Sequence, residues 1–147
     1  MIGIVVSGHG NFATGLTSSL KLIAGDLSAY HAVDFVEGHG EEELTNGLKN
    51  AIEDLLQTCD GVLVMTDLVG GSPFKMAAML SVGYPNVRVL GGTNLGMLLE
   101  TKFMSQYSDD VQALAEGAIN TGKECMTLFD VSSLAPKAEV EEDSDGI

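Results

Sequence analysis

Apolar and polar positions change period several times along the chain. Residues 2–6 form a short apolar run without helical spacing, which predicts a strand. From Asn11 onward, Phe12, Leu16, Leu20 and Ile23 recur at three- and four-residue steps until Gly25. This predicts an amphipathic helix capped by Asn11 and stopped by Gly25. Residues 32–36 read as a second strand. A second helix follows, with Glu41, Glu42 and Glu43 in its first turn, where the helix dipole favours negative charge, and Leu44, Leu48, Ile52 and Leu55 as one stripe. Residues 61–67 are the third and most apolar strand. The turn after it contains Gly70, Gly71, Ser72 and Pro73, with Ser72 placed to cap the next helix and Pro73 at its first position. Residues 86–92 give a fourth strand followed by Asn94 as a cap. Helices are predicted over 94–106 and 109–121, the second opened by Ser108, Asp109 and Asp110, and residues 125–131 read as a last strand.

Short β-rich runs alternating with helical segments are the signature of an α/β fold: an open, mainly parallel four-stranded sheet with helices on both faces. The common strand order for such a sheet is 2-1-3-4, and it is the order expected here. At 147 residues the chain has the length of one domain with a single core. That domain is expected to span 1–133. After Pro136 no apolar period survives and five of the last nine residues are acidic, so 134–147 read as a solvated tail without fixed structure. The repeated Gly-His-Gly at 8–10 and 38–40 is no internal repeat, because the flanking residues differ.

Charge narrows the partners. The formal charge of -14 comes from 21 acids against 7 bases, which argues against nucleic acid and anionic membranes, since both require basic surface. Cys59 and Cys125 lack metal-type spacing and are expected to be small buried apolar residues of a reduced, cytoplasmic protein. No leader-like segment opens the chain and no stretch reaches the ~18 apolar residues of a membrane span, so no direct membrane insertion is expected.

In an open parallel sheet, ligands collect beyond the carboxyl ends of the strands, where loops and helix N-termini converge. His9, His39 and Asp67 fall at such ends. With strand order 2-1-3-4, His9 and Asp67 lie on adjacent strands, and His39 lies on the far side of the first. A carboxylate that accepts the Nδ1–H of an imidazole fixes the tautomer and leaves the Nε2 lone pair as a nucleophile. The backbone N–H groups of Gly70, Gly71 and Ser72, with the Ser72 hydroxyl, form a candidate phosphate cradle beside it. His39 is the weaker candidate because Glu37, Glu41, Glu42 and Glu43 surround it and repel an incoming phosphate. His31 reads as a surface histidine.

Rival patterns are weaker. Gly8-x-Gly10-x-x-Ala13 fits a dinucleotide fingerprint, with Asp34 or Glu37 near the position of a ribose-binding acid, but His9 then faces the pyrophosphate. No P-loop is present. A metal site from His9, His39 and Asp67 is disfavoured by the strand order, so no metal is expected. A non-catalytic acidic interaction module is the remaining alternative.

The stretches 3–16, 61–77 and 89–100, above all Asp67-Leu68-Val69-Gly70-Gly71-Ser72-Pro73, resemble the enzyme IIA component of the mannose-type bacterial phosphotransferase system over residues 1–130. The resemblance implies a cytoplasmic phosphotransferase component in which His9 accepts a phosphoryl group from the carrier HPr and passes it to a IIB component during sugar uptake. It implies that Asp67 hydrogen-bonds the imidazole, that membrane IIC and IID components are served indirectly, and that no cofactor takes part. It also implies a homodimer in which residues 125–131 add an antiparallel strand at the partner's sheet edge. Gly96 stands where the family pattern has proline, so a looser turn is expected at Asn94. The phosphotransfer subunit of dihydroxyacetone kinases is the related alternative, usually without Gly-Gly-Ser-Pro. Larger members continue into a fused IIB domain, and here IIB is expected on a separate polypeptide.

Overall fold

The computed structural model describes residues 1–134. Its elements, in chain order, are β1 (Ile2–His9), α1 (Phe12–Ala24), β2 (Tyr30–Phe35), α2 (Glu41–Leu56), β3 (Gly61–Thr66), α3 (Ser72–Ser81), β4 (Val87–Leu90), α4 (Leu95–Ser105) and α5 (Val111–Glu124). The four strands form one sheet in the order β2-β1-β3-β4, and every pair is parallel. The expected class and strand order are what the structure has.

Parallel strands covered on both faces need apolar side chains at every position, and the central pair supplies them. Ile4 lies beside Leu63 and Val5 beside Val64, all fully buried. Side chains alternate across the sheet, so Ile2, Ile4, Val6, Leu63 and Met65 pack with α1, α4 and α5 on one face. Val5, Val62 and Val64 pack with α2 and α3 on the other. The stripe Leu44, Leu48, Ile52 and Leu55 is the buried face of α2, as its spacing predicts.

Several boundaries differ for local reasons. β1 runs three residues past its apolar segment, because Ser7 satisfies its buried hydroxyl on the Val33 carbonyl at 2.8 Å while the ladder continues to His9. Asn11 occupies the cap position of α1 but makes no side-chain cap. Asp34 of β2 takes over that task, accepting from the Thr14 N–H at 3.0 Å and hydroxyl at 2.6 Å. Gly71 is the N-cap of α3, so Ser72 is its first helical residue and Pro73 follows within the first turn. Asn94 and Asp110 cap α4 and α5 as expected, accepting from the Met97 and Ala113 N–H groups. The turn at Asn94 is not loose: its amide also donates to the Gly122 carbonyl at 3.0 Å, and a Cβ on Gly96 would stand 2.5 Å from Cys125 Sγ.

The last strand, expected at 125–131, is not formed in the single chain. Residues 125–130 carry no regular structure, and Val131–Leu134 is a 3-10 turn. Cys59 is buried as expected, whereas Cys125 is exposed at the C-cap of α5. Leu134 lies in the described part, and the rest of the expected acidic tail lies outside it. No helix among the described residues is long and apolar enough to cross a membrane.

Candidate functional site

The strand order places β2 on one side of β1 and β3 on the other. Connections leaving β1 and β3 therefore diverge and open a crevice at their carboxyl ends, the usual ligand position in such sheets. His9 ends β1, and Asp67 is the first residue after β3. Asp67 Oδ2 accepts from the His9 backbone N–H at 2.8 Å and lies 2.7 Å from His9 Nδ1. A carboxylate in that place requires the proton on Nδ1, which leaves the Nε2 lone pair unprotonated in the neutral ring.

The carboxylate is held ready to do this. Burial alone raises the Asp67 pKa. The His9 backbone and ring hydrogen bonds, the nearby Leu68 N–H and the charge of His9 more than offset it, and the net shift is below the usual carboxylate value. Exposure divides the roles: the His9 side chain is 46% exposed and that of Asp67 only 12%. A half-open nucleophile backed by a sheltered acceptor suits a reaction with another macromolecule.

Two further contacts fix the ring. The Phe35 ring packs edge-on against His9 with centroids 6.0 Å apart and planes at 61°. On the α3 side, a Cβ added to Gly71 would lie 2.7 Å from His9 Cε1 and 3.5 Å from Nε2. Position 71 must therefore be glycine for the ring to sit where it does. Gly71→Ala should displace the His9 ring and shift its Cε1–H and Cδ2–H resonances, which proton NMR checks, with a thermal melt as the control for folding.

The glycines flanking His9 have structural reasons that their exposure alone would not reveal. A Cβ on Gly8 would stand 2.8 Å from Phe12 Cβ, so Gly8 is where α1 packs on the sheet. Gly10 has φ of +57° and donates to the Phe35 carbonyl at 2.7 Å, a left-handed turn in open space.

Gly70, with φ of +81°, turns the chain into α3. The Gly71 N–H is used inside that turn, donating to the Leu68 carbonyl at 3.1 Å. The groups left for an anion are the N–H groups of Gly70 and Ser72 and the Ser72 hydroxyl, which makes no hydrogen bond among the described residues. The close approach of Gly71 to His9 puts this helix start beside Nε2.

The other candidates fall away from the couple. His39 is exposed after β2 and faces no carboxylate partner among the described residues, while Glu43 hydrogen-bonds the Gly40 N–H next to it. His31 Nε2 meets Asp54 Oδ2 at 2.6 Å on the α2 side. Asp34, the candidate ribose-binding acid, is committed to Thr14, and Gly8 of the dinucleotide fingerprint is filled by Phe12. Among the described residues no three His, Cys, Asp or Glu side chains gather as a metal requires. Phe35 was not legible as a site residue from composition or motif, and only the register that pairs it with His9 reveals it.

Comparisons with known proteins give the family. The family model described as "PTS system fructose IIA component" matches residues 3–119. The chain is 33% identical over 123 residues to the mannose-specific EIIAB component of the Escherichia coli phosphotransferase system (PTS), covering 84% of this chain but 38% of that relative. It therefore spans well under half the length of that protein. It is 31% identical over 107 residues to the fructose-specific EIIA component of Bacillus subtilis, covering 73% of each. Among solved structures, a phosphotransferase system EIIA component from Streptococcus agalactiae superposes with a TM-score of 0.81 at 34% identity, covering 90% of this chain and 99% of that one. Family match, relatives and fold together assign the chain to the mannose-type IIA family of the bacterial phosphotransferase system.

Proposed function

We propose that the protein is a phosphohistidine carrier of a sugar phosphotransferase system, with His9 as the group that is phosphorylated. The observation that carries this reading is the His9–Asp67 couple beside the start of α3. The Nε2 lone pair attacks the phosphorus of a phosphohistidine on HPr, forming one P–N bond as the donor's P–N bond breaks, and the donor imidazole leaves with its electron pair. Charge on the moving phosphoryl oxygens is met by the Gly70 and Ser72 N–H groups and the Ser72 hydroxyl. As Nε2 becomes substituted, the ring gains positive character, and the ionised Asp67 stabilises it. The second transfer, to a IIB unit, runs the same geometry in reverse, and IIB in turn serves the membrane components.

Carrier-to-carrier transfer needs no metal or organic cofactor, and a retained phosphoramidate needs a site that grips it only moderately. The half-exposed His9 ring suits the second demand. The reaction takes place in the cytoplasm, where HPr and phosphoenolpyruvate meet. Incubation with phosphoenolpyruvate, enzyme I and HPr should place one acid-labile phosphate on each chain, and subsequent IIB should remove it. Saturable micromolar binding of NAD or ATP without acid-labile phosphate would instead support the nucleotide-binding reading.

The assembly is a homodimer in this proposal. Met126, Leu128, Phe129 and Val131 are all more than 60% exposed in the single chain, an apolar run that a second copy's sheet edge would cover. Replacing Leu128 and Phe129 together with Asp should convert a dimer to a monomer in sedimentation, without moving the far-ultraviolet spectrum.

A further inference from the structure

Only two buried side-chain oxygens among the described residues have no hydrogen-bond partner: Asp67 Oδ1 and Thr93 Oγ1. They occur on neighbouring segments. The Gly92 N–H donates to the Asp67 carbonyl at 2.7 Å, and the Thr93 N–H to the Thr66 carbonyl at 3.1 Å. Two successive backbone bonds thus lay residues 92–93 directly alongside 66–67, beyond the last paired residues of β3 and β4. Thr93 is 9% exposed. A buried hydroxyl can donate and a buried carboxylate oxygen can only accept, so the two are complementary, and leaving both unmade is costly.

We propose that Thr93 is a positioning residue for the His9–Asp67 couple: its hydroxyl donates to Asp67 Oδ1 across one buried water. A water there would have both orphaned atoms as partners, which meets the two to four polar contacts that a buried water needs. The consequence follows from the other oxygen. Oδ2 already serves both the backbone N–H and Nδ1 of His9, and it can do so only while the carboxylate plane stays fixed. Anchoring Oδ1 from behind fixes that plane. Without the anchor the carboxylate is free to rotate toward other donors, the bond to Nδ1 weakens, and the proton is no longer confined to Nδ1. Thr93 touches no transferred group, so it acts only through Asp67.

The inference rests on the phosphocarrier reading for its effect on rate, but its effect on the ring is read without phosphate. Thr93→Val keeps the shape and removes the hydroxyl, and Thr93→Ser keeps the hydroxyl. Nitrogen-15 NMR of His9 in the unphosphorylated protein should show a single Nδ1–H tautomer in wild type and Thr93→Ser, and a mixture of tautomers in Thr93→Val. Transfer from phospho-HPr should fall roughly tenfold in Thr93→Val and recover in Thr93→Ser, the scale of one lost hydrogen bond to a charged group. A Thr93→Val protein with the wild-type tautomer overturns the proposal, whether or not the chain accepts phosphate. If no variant or wild type accepts phosphate, the carrier reading fails while the tautomer comparison still decides the role of Thr93. Should Thr93→Val not fold, a high-resolution electron-density map of the wild type decides it. Oγ1 and Oδ1 joined through one water is the expected result, and a different partner for either atom overturns it.

Discussion

His9→Ala should accept no phosphoryl group from phospho-HPr, while His39→Ala and His31→Ala should each accept one per chain at close to the wild-type rate. The expectation follows from what surrounds each ring. His9 has its Nδ1 2.7 Å from a carboxylate whose pKa is lowered, and its Nε2 edge faces the start of a helix. His31 is tied through Nε2 to Asp54, so the nitrogen that would react is occupied. His39 sits among glutamates whose field opposes an incoming phosphoryl group. Removing His9 takes away the atom that forms the new bond, so no residual transfer is expected from the rest of the site. The His9→Ala protein should melt near the wild-type temperature, because the side chain is half exposed and its loss leaves no cavity. Radiolabel from phosphoenolpyruvate, passed through enzyme I and HPr and scored for acid lability, measures all three variants together.

Asp67→Asn is the second large effect, and it works through tautomer and charge. An amide can present either an oxygen or an NH₂ group to Nδ1. With NH₂ facing the ring, the imidazole is driven to carry its proton on Nε2, where it blocks attack. With oxygen facing the ring, the negative charge that stabilises the substituted imidazole is still gone. A fall in transfer rate of about 10²- to 10⁴-fold is expected, on the scale of a lost His-orienting carboxylate in other enzymes. The chain still becomes fully phosphorylated given time, which separates a slowed nucleophile from a missing one. Stability carries a second signature. The folded-state pKa of Asp67 is depressed, so its ionised form favours folding above the ordinary carboxylate pKa near ~3.9, and that contribution is lost as pH falls through the lower folded value. Wild type should therefore lose its stability advantage over Asp67→Asn in acid and keep it at neutral pH. Urea unfolding across that range measures the difference.

Elements whose side chains report on burial were legible in the sequence. The third strand and the α2 stripe are unambiguous, because a strand covered on both faces and a helix covered on one produce different apolar periods. Proximity of His9 and Asp67 was also legible, since it needs only the strand order and two strand ends. What escaped notice depends on tertiary contacts that no local pattern encodes. Asp34 replaces Asn11 in holding the first turn of α1, which requires β2 to lie beside that turn. Gly8 is set by the Phe12 ring above it, and Phe35 reaches His9 through strand register. Thr93 reads in sequence as a small polar residue before a cap, and only its burial and missing partner single it out. The segment at 125–131 has strand-like composition, but it pairs with neither edge of the sheet, β2 or β4, and composition alone does not provide a partner strand.

The relatives bear mannose, fructose and sorbose PTS names, which favours the sugar-transport reading over that of the dihydroxyacetone kinases. Gly-Gly-Ser-Pro has a clear physical place in this fold. It lets the chain turn left-handed at Gly70, pass within contact of the His9 ring at Gly71, and start α3 with an uncommitted hydroxyl at Ser72.

In the proposed carrier the phosphoryl group resides on Nε2 of His9, with Nδ1 held by Asp67. Phosphorus–nitrogen coupling in the NMR spectrum of the protein, labelled with nitrogen-15 histidine and phosphorylated through HPr, measures this directly. One phosphohistidine is expected, assigned to His9, with the coupling on Nε2 and the proton on Nδ1. A P–N coupling on Nδ1, or on either nitrogen of His39, would contradict it.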